Sequence, residues 1–160
     1  MESMKRCVEC GASGLRRGSE PAEVKVGPRK FLGEVETLVC RRCGETFTDG
    51  AGGVALELAA ARWLAQHGFA TGDEIRFMRK TAGLRAADLA ELLGVSAEAV
   101  SHWETGKHRA DRGTLATIAA LALDRIDGRT TTQERLCAFG KPPRAPKAVK
   151  LGAQRAAPIA

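Results

Sequence analysis

The chain has 160 residues, a formal net charge of +6, five cysteines and no tyrosine. That length holds one large domain or two small ones, and no stretch nears the ~20 apolar residues of a membrane span. No secretory leader precedes the cysteines, so a reducing, cytoplasmic setting and metal binding are expected in place of disulfides. Basic and acidic residues balance through residue 128, and the positive excess lies entirely after it.

Residues 1–48 hold few large apolar side chains, and so small a unit needs a staple. Two Cys-x-x-Cys-Gly turns supply one, Cys7-Val8-Glu9-Cys10-Gly11 and Cys40-Arg41-Arg42-Cys43-Gly44. Two such pairs separated by a strand-rich insert are the pattern of a tetrahedral zinc site. The glycine after each second cysteine lets the turn reach positive φ and aim N–H groups at sulfur. The expected ligands are therefore Cys7, Cys10, Cys40 and Cys43, holding one structural zinc ion. Lys5, Arg6, Arg41 and Arg42 stand beside them to offset the charge of four thiolates. Cys137 lies far from both pairs and does not fit the pattern. Between the pairs, Val24 and Val26 alternate with charged residues, Gly27-Pro28 supplies a turn, and Phe31–Val39 mixes β-formers with Glu34 and Glu36. This is the pattern of a small β-rich zinc ribbon, with Phe47 expected to cover the metal. The strand at Phe31–Val39 is a candidate for pairing with a partner's sheet.

Residues 49–53 carry three glycines and read as a hinge. Val54 to Gln66 places Leu56, Ala59, Ala60, Trp63 and Leu64 at helical spacing, with Gly68 just beyond. Residues 73–127 then read as a run of short amphipathic helices within an all-α domain at 54–128. Ile75, Met78 and Arg79 belong to the first, stopped by Gly83. Ala86, Leu89, Ala90 and Leu93 define the second, stopped by Gly94. Ser96 caps the third, whose inward face is Val100 and Trp103, and Asp111 caps the last, with Leu115, Ile118, Ala119 and Ala122 facing the core. Residues 129–160 form a basic, Pro- and Ala-rich tail expected to be disordered. It suits either a polyanion or a merely solubilising role.

A short helix, a tight turn at Gly94-Val95-Ser96 and a second short helix make a helix-turn-helix, whose second helix can enter the major groove. The Leu93–Ser96 turn, the Val100–Glu104 helix and the Gly106-Lys107 exit closely resemble the Xre/Cro family over residues 73–127. That family usually begins its second helix with Thr-Gln, where this chain has Arg85-Ala86. Arg85 can replace the phosphate contact by charge; Ala86 cannot. With Val100 and Trp103 inward, Ala97, Glu98, Ser101, His102 and Thr105 lie on the outer face. Glu98 can accept from a cytosine amino group, and His102 can donate to guanine or to a phosphate. The alternatives are an acid that merely suits the helix dipole and a solvated histidine. Lys107, His108 and Arg109 follow the helix and are candidate phosphate contacts, or else a plain solvated loop.

The order of zinc ribbon, hinge and Xre-type domain resembles the MqsA/YgiT family of antitoxins over residues 1–128. The first knuckle, the insert and Leu38–Phe47 carry the likeness. The resemblance implies a homodimer joined through the helical domain, binding a palindromic operator in double-stranded DNA and repressing its own promoter. It also implies that the zinc module binds and blocks an RNA-cleaving toxin. The family's base-reading Asn and Arg align with Glu98 and His102, so its operator does not carry over. A stand-alone zinc-ribbon regulator without a toxin is the alternative. A redox role for the cysteine pairs is weak, because neither opens a helix after a strand. No Gly-x-Ser-x-Gly, phosphate loop or His-Glu-x-x-His occurs, and the chain reads as a binding protein, not an enzyme.

Overall fold

The computed structural model describes residues 6–48, 50–68 and 70–140. Among the described residues an N-terminal antiparallel sheet is followed by six helices. Strands β1 (Leu15–Val26) and β2 (Arg29–Cys40) form a long hairpin, and β3 (Thr46–Phe47) adds two residues against Leu38 and Val39. The hairpin closes through Gly27-Pro28, because Val26 pairs with Arg29. Gly27 takes φ 54°, the positive first position that such two-residue turns require. One face of the sheet is solvated. Ser19 donates to Glu34, Lys30 to Glu23, and Arg17 stands near Glu36, all across the two strands. The other face packs on the first helix.

That helix, α1 (Ala51–His67), begins where a hinge was expected. The glycines do not loosen the chain here; their missing side chains let helix and sheet meet. A Cβ on Gly52 would lie 3.0 Å from that of Val35, and one on Gly33 would lie 2.7 Å from Leu56 Cδ1. Further along, Phe31 meets Trp63 edge-on with ring centroids 5.6 Å apart. β2 is thus the central strand, paired with β1 along its whole length. On the side of β2 away from β1, β3 covers only Leu38 and Val39, so among the described residues no strand pairs with that edge over Phe31–Thr37.

Helices α2 (Gly72–Thr81), α3 (Ala86–Leu93), α4 (Ala97–Glu104) and α5 (Arg112–Ile126) follow the spacing of the apolar residues closely. Ser96 Oγ accepts from Ala99 N at 3.1 Å and Asp111 Oδ1 from Thr114 N at 3.0 Å, as expected of caps. Ile75, Met78, Leu89, Val100, Ile118 and Leu121 fill a core to which Leu64 of α1 also belongs. A sixth helix over residues 131–140 corrects the expectation of a disordered tail from residue 129. It is α6 (Thr131–Gly140), which packs on α5 and α3 and brings Leu136 to the edge of the core. Its start is tied down by Thr132 N, which donates to Asp124 at 2.7 Å. The remainder of the expected tail, residues 141–160, lies outside the described residues, as do Lys5 and Asp49.

The two halves are not independent. Val26, at the hairpin tip, is 4 % exposed and belongs to the helical core, with Val24 and Phe31 packed beside it. Burying one such side chain contributes about 1.5–3 kcal/mol. Next to it, Arg29 pairs with Glu74, whose side chain is fully buried in the first turn of α2. The other oxygen of Glu74 accepts from Thr71 N at 2.7 Å, so the carboxylate caps α2 from inside.

Candidate functional site

The four expected cysteines meet at the open end of the hairpin. Each pair sits in a turn of the same form: Gly11 N donates to Cys7 O at 2.9 Å, and Gly44 N to Cys40 O at 3.0 Å. Both glycines have positive φ, 67° and 79°, as the knuckle requires. The turns close again through Cys7 N to Ala12 O and Cys40 N to Glu45 O. Cys40 ends β2 and thereby fixes its knuckle to the sheet; Arg41 N reaches Gly14 O at 3.3 Å and joins the two turns.

The sulfurs are 3.6 Å apart for Cys7 and Cys43, and 3.6 Å for Cys10 and Cys40. All four lie within 4.8 Å of one another. A tetrahedron with metal–sulfur bonds of about 2.3 Å has sulfur–sulfur edges of roughly 3.8 Å, so the arrangement fits a metal ion bound by four thiolates. Backbone N–H groups already favour the anion. That of Cys43, then that of Arg42 at 3.4 Å, draw the Cys40 thiol down to about 6. At Cys43 the N–H of Glu45 acts in the same sense, but burial and the neighbouring thiols outweigh it and raise the group to about 12. Four sulfurs crowded this closely cannot all ionise without a cation among them. Arg6, Arg41 and Arg42 are exposed next to the ligands. Phe47 is placed in β3 opposite Leu38, half-buried. Cys137 is exposed on α6 and is no part of the cluster.

The second site is built on α3, α4 and the turn between them. Gly94 ends α3 with φ 68°, and its N–H closes on Glu91 O at 3.2 Å while Val95 N reaches Ala90 O at 3.0 Å. This reversal lets α4 start at once from the Ser96 cap. Val100 is fully buried on the inward face of α4, and Trp103 packs against the core. Ala97, Glu98, Ser101 and Thr105 are exposed on the outer face, as the helical spacing predicts. Lys107, His108 and Arg109 are exposed in the loop that follows.

Two of the expected contacts are already engaged. Arg85 donates to Asp88, Nη2 to Oδ1 at 2.7 Å, and its N–H caps the same carboxylate at 2.9 Å. The Arg85 side chain, then its backbone N–H, hold Asp88 down at about 2. His102 is only 21 % exposed, lying between Glu98, Lys107 and His108. It is not the open, outward histidine that periodicity alone describes.

The far end of α4 is fastened by residues that sequence reasoning left unassigned. Glu104, 7 % exposed, accepts from Arg79 on α2 and from Arg76 Nε at 3.2 Å. Burial pushes its carboxyl up, but the hydrogen bonds and charge of Arg79, then of Arg76, hold it below the usual carboxylate range. The signal available in sequence was a basic residue at an inward position of α2. Arg79 stands beside the core residue Met78 and has to find an acid there.

Residues 70–125 match a family model described as a helix-turn-helix domain. The chain carries a helix-turn-helix domain. The match runs from the residues that cap α2 to the last turn of α5, and so takes in α3, the Gly94 turn and α4. In such domains the second helix lies in the major groove while the first crosses the backbone, and α4 takes the place of that second helix in the matched segment. No curated protein and no solved structure matches the chain. No helix among the described residues is long and apolar enough to cross a membrane.

Proposed function

We propose that this protein is a sequence-specific transcriptional repressor serving as the antitoxin of a toxin–antitoxin pair. Two copies of α4, brought together in a homodimer, read a palindromic operator in successive major grooves about 34 Å apart. Ala97, Glu98 and Ser101 face the bases, with His102 beside them, while Lys107, His108 and Arg109 face phosphates, with Arg85 available at the start of α3. Cys7, Cys10, Cys40 and Cys43 hold one structural zinc ion, which leaves no open position for substrate. The N-terminal module is therefore a surface for a protein partner, the toxin, and not a catalytic centre. The observation that carries the DNA reading is the exposed outer face of α4, set at a buried Val100 and capped by Ser96, inside the matched domain. Selection of duplexes from a random library by the full chain tests it: enrichment of a two-fold symmetric sequence is expected, and no enrichment defeats it.

The toxin reading is supported by the free outer edge of β1, since the described sheet runs β1-β2-β3. Copurification of the tagged chain with the product of the neighbouring gene tests this part. A second reading, a stand-alone zinc-ribbon regulator, is favoured by one specific observation. Val26 and Arg29 build the hairpin tip into the helical core, so the sheet already has a use without a partner. Residues 141–160 hold Lys141, Arg144, Lys147, Lys150 and Arg155 and no acid, and in either reading they add affinity for phosphates without sequence preference.

A further inference from the structure

The imidazole of His102 is held between two groups of opposite charge. Its Nε2 lies 3.1 Å from Lys107 Nζ and 3.5 Å from Glu98 Oε1. An ammonium has only protons to give, so its bond to Nε2 requires the lone pair of a neutral ring. A carboxylate has only lone pairs to give, so its bond to the same atom requires a proton on Nε2, which a ring held by Lys107 in its Nδ1–H form acquires by becoming an imidazolium or by moving its one proton to Nε2. The two partners are alternatives, and one proton on Nε2 decides between them. The third neighbour is His108, whose ring meets that of His102 edge-on with centroids 4.9 Å apart. Its backbone N–H also donates to His102 O at 3.2 Å, which fixes the loop against the helix. Among the described residues, Glu98 on α4 and Lys107 and His108 on the following loop are the charged or titratable side chains recorded against this ring.

We propose that His102 selects between Lys107 and Glu98 by its protonation state and so couples operator binding to the uptake of one proton. The inference rests on the DNA-binding reading of α4. With the ring neutral, the Lys107 ammonium is parked on Nε2, and Glu98, 77 % exposed, presents an uncompensated negative charge on the helix face. With the ring protonated, Nε2–H turns to Glu98 and cancels that charge, while like charge drives Lys107 off the ring toward solvent. Both changes favour a polyanion. His108 works against the first step, because a second imidazolium beside the ring opposes its protonation. Imidazole titrates between about pH 5 and 8, where phosphodiesters and carboxylates do not. Binding therefore tightens as pH falls through this range, and Lys107 and Glu98 both change partners in the same step.

The test uses duplexes selected by the full chain from a random library at pH 6 and pH 8, with affinity measured at both pH values and fixed ionic strength. One linked proton gives a change of up to about tenfold per pH unit; roughly tenfold tighter binding at pH 6 than at pH 8 is expected overall. His102→Gln should reduce the difference to within about twofold, while His67→Gln, on α1, keeps most of it. Equal affinity at the two pH values, or a pH dependence that survives His102→Gln, overturns the proposal. If no duplex is enriched at either pH, the DNA reading of α4 fails, and the selector is then decided on the free protein by nitrogen-15 NMR of the ring. At pH 8, Nε2 should be the unprotonated nitrogen and should shift on Lys107→Ala. An Nε2 that carries the proton at pH 8, or that ignores both Lys107→Ala and Glu98→Gln, overturns it equally.

Discussion

Arg79 of α2 donates to both oxygens of the Glu104 carboxylate at the end of α4, with Nη2 3.1 Å from Oε2. The same guanidinium sends Nη1 to the carbonyl of Leu84 at 2.7 Å, just before α3 begins. One buried cation thus fixes the entry to the first helix of the motif and the exit from the second. Arg79 and Glu104 thereby tie the end of α4 to α2 and to the start of α3.

Glu104→Gln is expected to destabilise the chain by about 3–5 kcal/mol, because it leaves the Arg79 guanidinium buried without its counter-charge. The pH sign follows from the depressed carboxyl. The stabilisation is fully present above the ordinary carboxylate range near pH 4–5, and it is lost as pH falls through the lower value held in the fold. Urea titrations of both proteins at pH 7 and at pH 3 measure this. The difference between them should shrink at the lower pH; an equal difference at both would show that Glu104 acts through shape alone.

Arg29→Met removes the only described ion pair that reaches the Glu74 carboxylate and leaves that group buried with one backbone partner. The expected cost is again about 3–5 kcal/mol, and it should appear in the helices although the substitution lies in the hairpin. By the same reasoning the intact chain should melt in one calorimetric transition. Two resolved transitions would mean that sheet and helices fold separately.

The cysteine cluster predicts one zinc per chain by elemental analysis, falling to near zero in Cys40→Ser. Chelation should expose Cys7, now 2 % exposed, to thiol reagents. Rapid labelling of all four thiols in zinc-replete protein would contradict a closed tetrahedral site.

On the proposed reading of α4, Glu98→Ala should relax preference at one base pair by roughly 1–3 kcal/mol. Lys107→Ala should weaken binding to every sequence alike. Ser96→Ala removes the bond to Ala99 N and should cost about 0.5–2 kcal/mol of stability. A binding screen across single-base variants of the selected duplex separates the first two effects, and thermal melting reports the third.

The clustering of the four cysteines, the caps at Ser96 and Asp111, and the inward Val100 were all legible in the sequence, because each rests on local spacing. What was not legible depends on long-range packing. Residues 49–53 read as a hinge from composition, yet in the fold Gly52 lies in α1 and packs close against Val35 of β2. Residues 131–140 carry too weak an apolar pattern to announce α6, which owes its place to Leu136 and to the tether from Thr132 to Asp124. Arg29 and Glu74 are 45 residues apart, and nothing local marks either as a buried partner of the other. Around His102 the i, i+4 spacing to Glu98 was legible, but helical periodicity does not say that Lys107 and His108 of the following loop fold back over the ring.

The placement of Val26 among residues of α2, α4 and α5 also bears on the order in which the chain acquires its structure. The hairpin leaves the ribosome before the helices, yet two strands alone are marginal in water. Its tip stays unfinished until residues some fifty to a hundred positions later have been synthesised. Contacts of such sequence separation slow folding, since the intervening loop must close before they form. Zinc captured early by the two knuckles would shorten that wait, by holding the far ends of the strands together while the helices are still being made.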